Sequence, residues 1–172
     1  NIYGELKSID IKYSKGIDNT VSHFVDLLFY LFGSKINFDD VETLNKPRNI
    51  NGETSCSFVV RDFLNLNSYV CFHAIHDLYA IELDFIFDNK RIRIINYERE
   101  VYYYDIDNDS NFPEYINFVQ SHKIKLNNMD YMKHVTNNLY NICNTKISKN
   151  FSIERDLDVI NAIKKIKYKI NE

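Results

Sequence analysis

Residues 4–33, GELKSIDIKYSKGIDNTVSHFVDLLFYLFG, govern the architecture, because a strand pattern and a helix pattern follow each other across one glycine turn. The first part interleaves polar residues with four apolar ones: Leu6, Ile9, Ile11 and Tyr13. This alternation predicts a half-buried strand over residues 5–13. Beyond Gly16, apolar residues recur at the spacing of one helix face, which predicts a helix over residues 20–32 that ends at Gly33.

The rest of the chain predicts more strands and then more helices. Six segments carry the apolar runs or the alternation of strands: residues 36–44, 55–63, 68–76, 80–87, 91–96 and 100–106. Residues 88–90 (DNK) join two of them as a hairpin, and residues 45–53 are expected to form a loop. Three helices are predicted to close the chain: residues 114–120, residues 128–144 and a last helix that begins at Ser152.

This element order predicts an α+β fold, a large open, mainly antiparallel β-sheet with helices packed on one face, because short connections cannot join parallel strands. We expect residues 1–172 to form a single domain. The strands carry many aromatic residues: Tyr69, Phe72, Phe85, Phe87, Tyr102, Tyr103 and Tyr104. Apolar residues on both sheet faces need a second cover, which predicts a homodimer through the sheet face. The alternatives are that helices or loops of the same chain cover this face, or that the tyrosine hydroxyls keep it hydrated.

Charge and hydropathy argue against several classes of protein. The net charge of −3 disfavours a dedicated nucleic-acid binder, and the lysines of residues 164–169 indicate the solvated side of an amphipathic helix. No apolar run reaches the ~18 residues of a membrane span, and no targeting pattern opens the sequence. The three widely spaced cysteines, Cys56, Cys71 and Cys143, favour reduced thiols and a cytoplasmic location.

Neither a cofactor site nor a metal site is predicted within the chain. It has four glycines: Gly4, Gly16, Gly33 and Gly52. Their spacing allows neither a GxGxxG dinucleotide motif nor a phosphate-binding loop. His73 and His76 would lie on opposite faces of a strand, and the acidic turn at residues 105–109 lacks the glycine and closing glutamate of a calcium loop, so no metal is expected at either place.

Seven short motifs occur in a fixed order along the chain: residues 4–7 (GELK), 13–17 (YSKGI), 19–28 (NTVSHFVDLL), 30–33 (YLFG), 82–86 (ELDFI), 90–94 (KRIRI) and 152–156 (SIERD). In this order they resemble the C-terminal domain of the Gfo/Idh/MocA oxidoreductases, the glucose–fructose oxidoreductase and inositol dehydrogenase family. The helix motif around His23 is the most specific of them, whereas the hairpin motif lacks the two glycines usual in the family.

The resemblance implies a function for a longer protein. Full-length members of the family carry an N-terminal Rossmann domain that holds NAD or NADP, and that domain is missing from this chain. Their C-terminal domain binds the substrate and forms the dimer, and a hydride passes between the nicotinamide and a sugar, polyol or sugar-nucleotide carbon. By this resemblance the chain itself binds no cofactor, His23 acts in proton transfer or substrate positioning, and whether the fragment alone is an enzyme stays open.

The residue chemistry at the predicted helix start is compatible with that role. An imidazole can accept a proton from an alcohol near neutral pH; for His23 a packed core histidine is the alternative. Asn19, where the family often has Asp, can hydrogen-bond a substrate hydroxyl or cap the helix. Lys15 and Tyr13 end the preceding strand and are candidate substrate contacts, with a solvent-exposed turn as the alternative.

A second interpretation belongs to another class of protein. The same fold could serve as a non-catalytic, sheet-based dimerisation or sugar-binding module, with no redox chemistry. A nucleotide-binding domain encoded next to this chain would favour the oxidoreductase, and a different neighbouring domain would favour the binding module.

Overall fold

The computed structural model describes residues 3–33, 36–64, 67–76, 78–95, 99–109, 111–112, 114–126 and 153–171. The strands in these ranges are β1 (Leu6–Tyr13), β2 (Val41–Thr43), β3 (Arg48–Ile50), β4 (Glu53–Ser55), β5 (Phe58–Val60), β6 (Tyr69–Ala74), β7 (Ile81–Phe87), β8 (Lys90–Ile95), β9 (Glu100–Asn108) and β10 (Ile116–Lys125). The helices in the same ranges are α1 (Ser22–Phe32) and α2 (Ile153–Asn171), and a π-helical turn, Ile17–Val21, leads from β1 into α1.

Eight strands form one sheet in the order β10-β9-β8-β7-β1-β6-β5-β2, and β3 pairs with β4 in a separate hairpin. The central strand β1 runs antiparallel to β7 and parallel to β6. The other neighbouring pairs are antiparallel. The predicted α+β class with a mainly antiparallel sheet is therefore confirmed. The exception at β1–β6 arises because the chain between these strands is long and contains α1, and such a connection can return it in the parallel direction.

A bulge explains how β1 keeps all its apolar residues on one side. The register against β7 shifts between Leu6 and Ser8. Strict alternation would send Leu6 and Ile9 to opposite faces, because they are three residues apart. With the shift, four side chains of β1 are buried on the inner face: Leu6, Ile9, Ile11 and Tyr13.

Both α-helices pack on this inner face of the sheet. The buried residues of α1 are Phe24, Val25 and Leu28, and those of α2 are Ala162, Ile163, Ile166 and Ile170. The lysine side of α2 points outward, as the amphipathic pattern predicts. Lys165 and Lys167 form ion pairs there with Asp39 at 2.5 Å and Asp18 at 2.7 Å, which connect α2 to the segment before β2 and to the π-helical turn.

The opposite side of the sheet, here called the outer face, is mostly charged. Its ion pairs join neighbouring strands: Lys12 with Glu82 at 2.8 Å, Arg91 with Asp84 at 2.5 Å and Lys123 with Glu100 at 2.9 Å. The expectation of two apolar faces is therefore only partly correct. Phe72 and Phe85 lie in the core, whereas the Tyr102 hydroxyl donates to the Glu100 carboxylate at 2.7 Å on the outer face.

Several predicted elements differ from the structure. Residues 114–120 are not a helix; they lie largely within β10, where pairing with β9 overrides the local pattern. Residues 45–53 contain the β3–β4 hairpin rather than a plain loop, and the strand predicted over residues 36–44 is only Val41–Thr43. The predicted helix 128–144 lies outside the described residues. No helix among the described ranges has the length and apolar character needed to cross a membrane.

Candidate functional site

A cleft of about 340 Å³ opens where β1 ends and the chain turns toward α1. The β1 end contributes Ser14, Lys15 and Gly16, and the β3–β4 hairpin contributes Asn51 and Glu53. The chain that follows β6 supplies the opposite wall with His76, Leu78 and Tyr79. The wall thus combines one ammonium, one carboxylate and one imidazole with apolar surface, which is the composition of a small-molecule site.

Lys15 is held in this cleft by an unusual backbone conformation. Its φ of 67° lies in the left-handed region, which a side chain with a Cβ rarely adopts. The ammonium lies 5.7 Å from the centre of the Tyr79 ring, within the range of a cation–π contact. The structure therefore places the predicted contact residue Lys15 at the cleft, exposed and directed by a strained turn.

Gly16 is the point where the β3–β4 hairpin closes over the β1 end. A Cβ at Gly16 would lie 2.2 Å from Oε2 and 2.3 Å from Cβ of Glu53, so no side chain fits there. This close approach carries the Glu53 carboxylate to the start of the helical segment, where Oε2 accepts a hydrogen bond from the Asn19 backbone N–H at 3.3 Å. A carboxylate at this position also interacts favourably with the helix dipole.

Asn19 is not a helix N-cap. It lies inside the π-helical turn, and neither this turn nor α1 has a side-chain cap. Glu53 satisfies the Asn19 N–H instead, while the Ser22 hydroxyl donates to the carbonyls of Asp18 and Asn19, at 2.8 Å each. The Asn19 residue is exposed, so its amide is available at the surface beside the cleft.

His23 lies in the first turn of α1 and is exposed. The packed-core alternative for this histidine is therefore wrong. His23 does not line the cleft itself; it stands four residues beyond Asn19, on a side of α1 that also exposes Tyr30 and Leu31.

The prediction that Tyr13 contacts a substrate is wrong, because its side chain is fully buried. The hydroxyl donates to the Cys56 carbonyl at 2.6 Å and accepts from the Cys56 N–H at 3.2 Å. Burial raises the pKa of the Tyr13 phenol above its ordinary value. Tyr13 therefore ties β1 to the chain after β4 and has no free surface for a ligand.

Sequence reasoning missed the roles of Glu53 and His76. His76 lines the cleft, and its Nδ1 is buried without a hydrogen-bond partner among the residues that the structure describes. The sequence pointed to His76 only as a possible metal partner of His73. The structure separates the two: His73 lies on the outer face, 3.3 Å from Asp10, and His76 lies beyond the end of β6.

The turn from β1 into α1 does not fit a dinucleotide cofactor. In a nucleotide-binding unit the pyrophosphate lies at the helix start, where backbone N–H groups and small residues receive it. In this chain the Glu53 carboxylate lies at that position, where it accepts a hydrogen bond from the Asn19 N–H. A pyrophosphate at the Asn19 N–H would be repelled by this carboxylate, so the helix entrance of this chain does not receive a dinucleotide in that way.

No protein-family model and no curated protein matches the sequence. Solved structures do match the fold. GnnA, a UDP-N-acetylglucosamine 3-dehydrogenase from Acidithiobacillus ferrooxidans, is similar with a TM-score of 0.70 and 10% identity, covering 97% of this chain and 54% of its own. The dehydrogenase MviM from Clostridium difficile is similar with a TM-score of 0.62 and 13% identity, covering 96% and 55%.

A further similar structure is the super-repressor mutant of Gal80p from Saccharomyces cerevisiae, with a TM-score of 0.64 and 13% identity, covering 98% of this chain and 57% of its own. The chain thus spans about half the length of the solved structures it matches. At these identities the likeness establishes the fold. This chain therefore has the fold of about half of each of these proteins, in agreement with the fold that the resemblance to the Gfo/Idh/MocA oxidoreductases implied.

Proposed function

We propose that this chain is the substrate-binding and oligomerisation half of an NAD(P)-dependent oxidoreductase that acts on a sugar, a polyol or a sugar nucleotide. The observation that carries the proposal is the likeness of nearly the whole chain to about half of dehydrogenases such as GnnA and MviM. The polar cleft at the β1 end supports it, because Lys15, Glu53 and His76 converge there. In this proposal the nucleotide is carried by a separate domain, since the helix entrance here is taken by Glu53.

The residues of this chain can bind and orient a substrate and can hold a proton. Lys15 offers a cation for a phosphate or carboxylate group, and the Asn19 amide can hydrogen-bond a hydroxyl. The His23 imidazole is the candidate base for the proton of a substrate alcohol. Because His23 does not line the cleft, the substrate would have to extend from the cleft toward α1.

The test of this proposal is a comparison of two histidine variants of the complete gene product that contains this chain. In His23→Ala, NAD(P)-linked turnover of the best sugar substrate should fall by about 100-fold or more, which is the usual contribution of a general acid–base residue. The dissociation constant of the nucleotide should stay unchanged. The matched control is His122→Ala, an exposed histidine on β10, which should keep full turnover.

Two outcomes count against the proposal. If the gene product transfers no hydride between nicotinamide and any sugar, polyol or sugar nucleotide, the oxidoreductase assignment fails. If turnover exists and is equal in His23→Ala and the wild type, His23 has no role in the mechanism.

We further propose that the outer face of the sheet forms a homodimer. The ion pairs across β1, β7, β8, β9 and β10 make this face polar, so the contact would be of the wet, polar kind rather than an extended apolar interface. A second copy would then meet the same charged pattern, rotated by the twofold axis.

A non-catalytic binding module is the second candidate function. One specific observation favours it: the structure of a super-repressor mutant of Gal80p has the same fold as this chain. A module of this class would bind a sugar or a partner at the cleft and show no nucleotide-linked turnover. The turnover assay on the complete gene product therefore separates the two functions.

A further inference from the structure

Three side chains with different metal-binding atoms meet on the outer face, away from the cleft. Asp10 lies on β1, and Cys71 and His73 lie on β6. The parallel pairing of these strands sets Asp10 beside Cys71, and residues 71 and 73 point to the same face because they are two apart in a strand. The carboxylate oxygen, the thiol sulfur and the imidazole nitrogen all lie within 4.8 Å of one another.

The distances between the three ligand atoms suit a tetrahedral zinc site after a small movement of the Cys71 side chain. Two ligand atoms bound to zinc at about 2.0–2.1 Å are about 3.3 Å apart, and a sulfur ligand is about 3.5 Å from the others. His73 Nε2 is already 3.3 Å from Asp10 Oδ1. The Cys71 sulfur lies at most 4.8 Å from these atoms, so it has to move by no more than about 1.3 Å, which a change in its side-chain torsion can provide.

In a single copy of the chain, solvent reaches the cluster, and the neighbouring cations have carboxylates of their own. The side chains of His73 and Asp10 are 42% and 40% exposed, whereas Cys71 is buried beneath them. Arg91 and Arg93 both pair with Asp84, which lies opposite Asp10 in the sheet. Lys12, which lies opposite His73, pairs with Glu82, and the two arginines share one carboxylate, so each of these cations has an acidic partner on β7 that reduces the repulsion an arriving cation meets.

We propose that Asp10, Cys71 and His73 form a binding site for a transition-metal dication, zinc being the ion that fits best. A mixed sulfur, nitrogen and oxygen set suits zinc, whereas magnesium and calcium take oxygen ligands. Three protein ligands leave the fourth tetrahedral position for water or for a ligand atom from elsewhere. On binding, the Cys71 thiol releases its proton to solvent, and the ionised carboxylate and the neutral imidazole bind without further proton loss.

Cobalt is the spectroscopic probe that tests this site in the 172-residue chain. Metal-free protein is titrated with Co²⁺, which should give a thiolate-to-cobalt charge-transfer absorption that saturates at one equivalent, and Zn²⁺ should then abolish it. Cys71→Ser should remove this absorption. His73→Gln should weaken metal binding by about tenfold or more, because even the loss of a residue that supports a ligand costs that much.

Two variants serve as matched controls, since they remove the same residue types outside the cluster. Cys56→Ser removes the other described buried thiol, and His76→Gln removes the cleft imidazole; both should keep the cobalt absorption of the wild type. Circular dichroism verifies that each variant is folded. No charge-transfer absorption in folded wild type, or an absorption that persists in folded Cys71→Ser, overturns the proposal. Since the readout needs no catalytic activity, this result is independent of the oxidoreductase proposal.

Discussion

At the scale of single residues, Tyr13 shows what the sequence pattern can predict and what it cannot. The alternation along β1 predicted correctly that Tyr13 belongs to the apolar side of the strand. Its assignment to a substrate site was wrong, because the hydroxyl bonds to both backbone groups of Cys56. That partner is 43 residues away along the chain, so local sequence carries no information about it.

Tyr13→Phe should destabilise the domain by about 1–3 kcal/mol, because the buried Cys56 carbonyl and N–H would each lose a partner. The free energy of unfolding from urea titrations measures this cost. A matched control is Tyr69→Phe, at an exposed tyrosine on β6, which should change stability by less than about 0.5 kcal/mol. Equal stabilities for Tyr13→Phe and the wild type would show that the Cys56 backbone groups find other partners.

We also expect the free energy of unfolding of the wild type and of Tyr13→Phe to depend differently on pH. The pKa of Tyr13 is raised by burial above its ordinary value of 10.0, so the folded state keeps this proton while the unfolded chain loses it. The contribution of Tyr13 is therefore complete below about pH 10 and declines as the pH rises further. The stability difference between the wild type and Tyr13→Phe should narrow above that pH.

At the scale of elements, the long periodic helices were predictable from the sequence, whereas the pairing of the strands was not. The helix over residues 20–32 was predicted within two residues of α1 at its start, and the last helix was predicted correctly in kind. Residues 114–120 were assigned wrongly, since a short apolar pattern suits either a helix or a strand until its partner is known. That partner is β9, and its pairing makes the segment part of β10.

The β3–β4 hairpin is an element whose signature was present but overlooked. Asn51-Gly52 is a common two-residue hairpin turn, and both residues have positive φ, 53° and 88°. The hairpin matters for the candidate site because it carries Glu53 onto Gly16 and toward Asn19. The sequence could have predicted the turn, but not which part of the chain the hairpin covers.

Gly52→Ala should destabilise the domain by about 1–3 kcal/mol through backbone strain alone. A Cβ at Gly52 would meet no other atom of the described residues within 4 Å, so steric overlap with them does not contribute. Thermal unfolding measures the effect, and Asn51→Gly is the control, which should be close to neutral because glycine adopts a positive φ readily. A Gly52→Ala protein as stable as the wild type would mean that the hairpin turn relaxes without cost.

At the scale of the whole molecule, the two faces of the sheet have different roles. The inner face builds the core with α1 and α2, while the outer face carries ion pairs and the Asp10–Cys71–His73 cluster. The sequence predicted the sheet and the side of the helices. It could not predict the parallel β1–β6 pair, which depends on a long connection and brings Asp10 to Cys71.

A dimer through the charged outer face should weaken as salt increases, because ions screen polar contacts. Light scattering should give a mass about twice the 20.5 kDa of one chain at low ionic strength and a lower mass at high ionic strength. Lys12→Glu, on the outer face, should favour the monomer, whereas the control Lys164→Glu, on the exposed side of α2, should not. A monomer at low salt and micromolar concentration contradicts the dimer.

The claim on which the rest depends is that substrate meets this domain at the cleft where β1 ends. Amide chemical-shift mapping of the chain with added sugar nucleotides examines this claim most directly, since it needs neither turnover nor cofactor. The shifts should be concentrated on residues 14–19, Glu53 and His76, should saturate, and should be lost in Lys15→Ala. Saturable shifts confined to the outer face, or no saturable shifts with any sugar or sugar nucleotide, would contradict it.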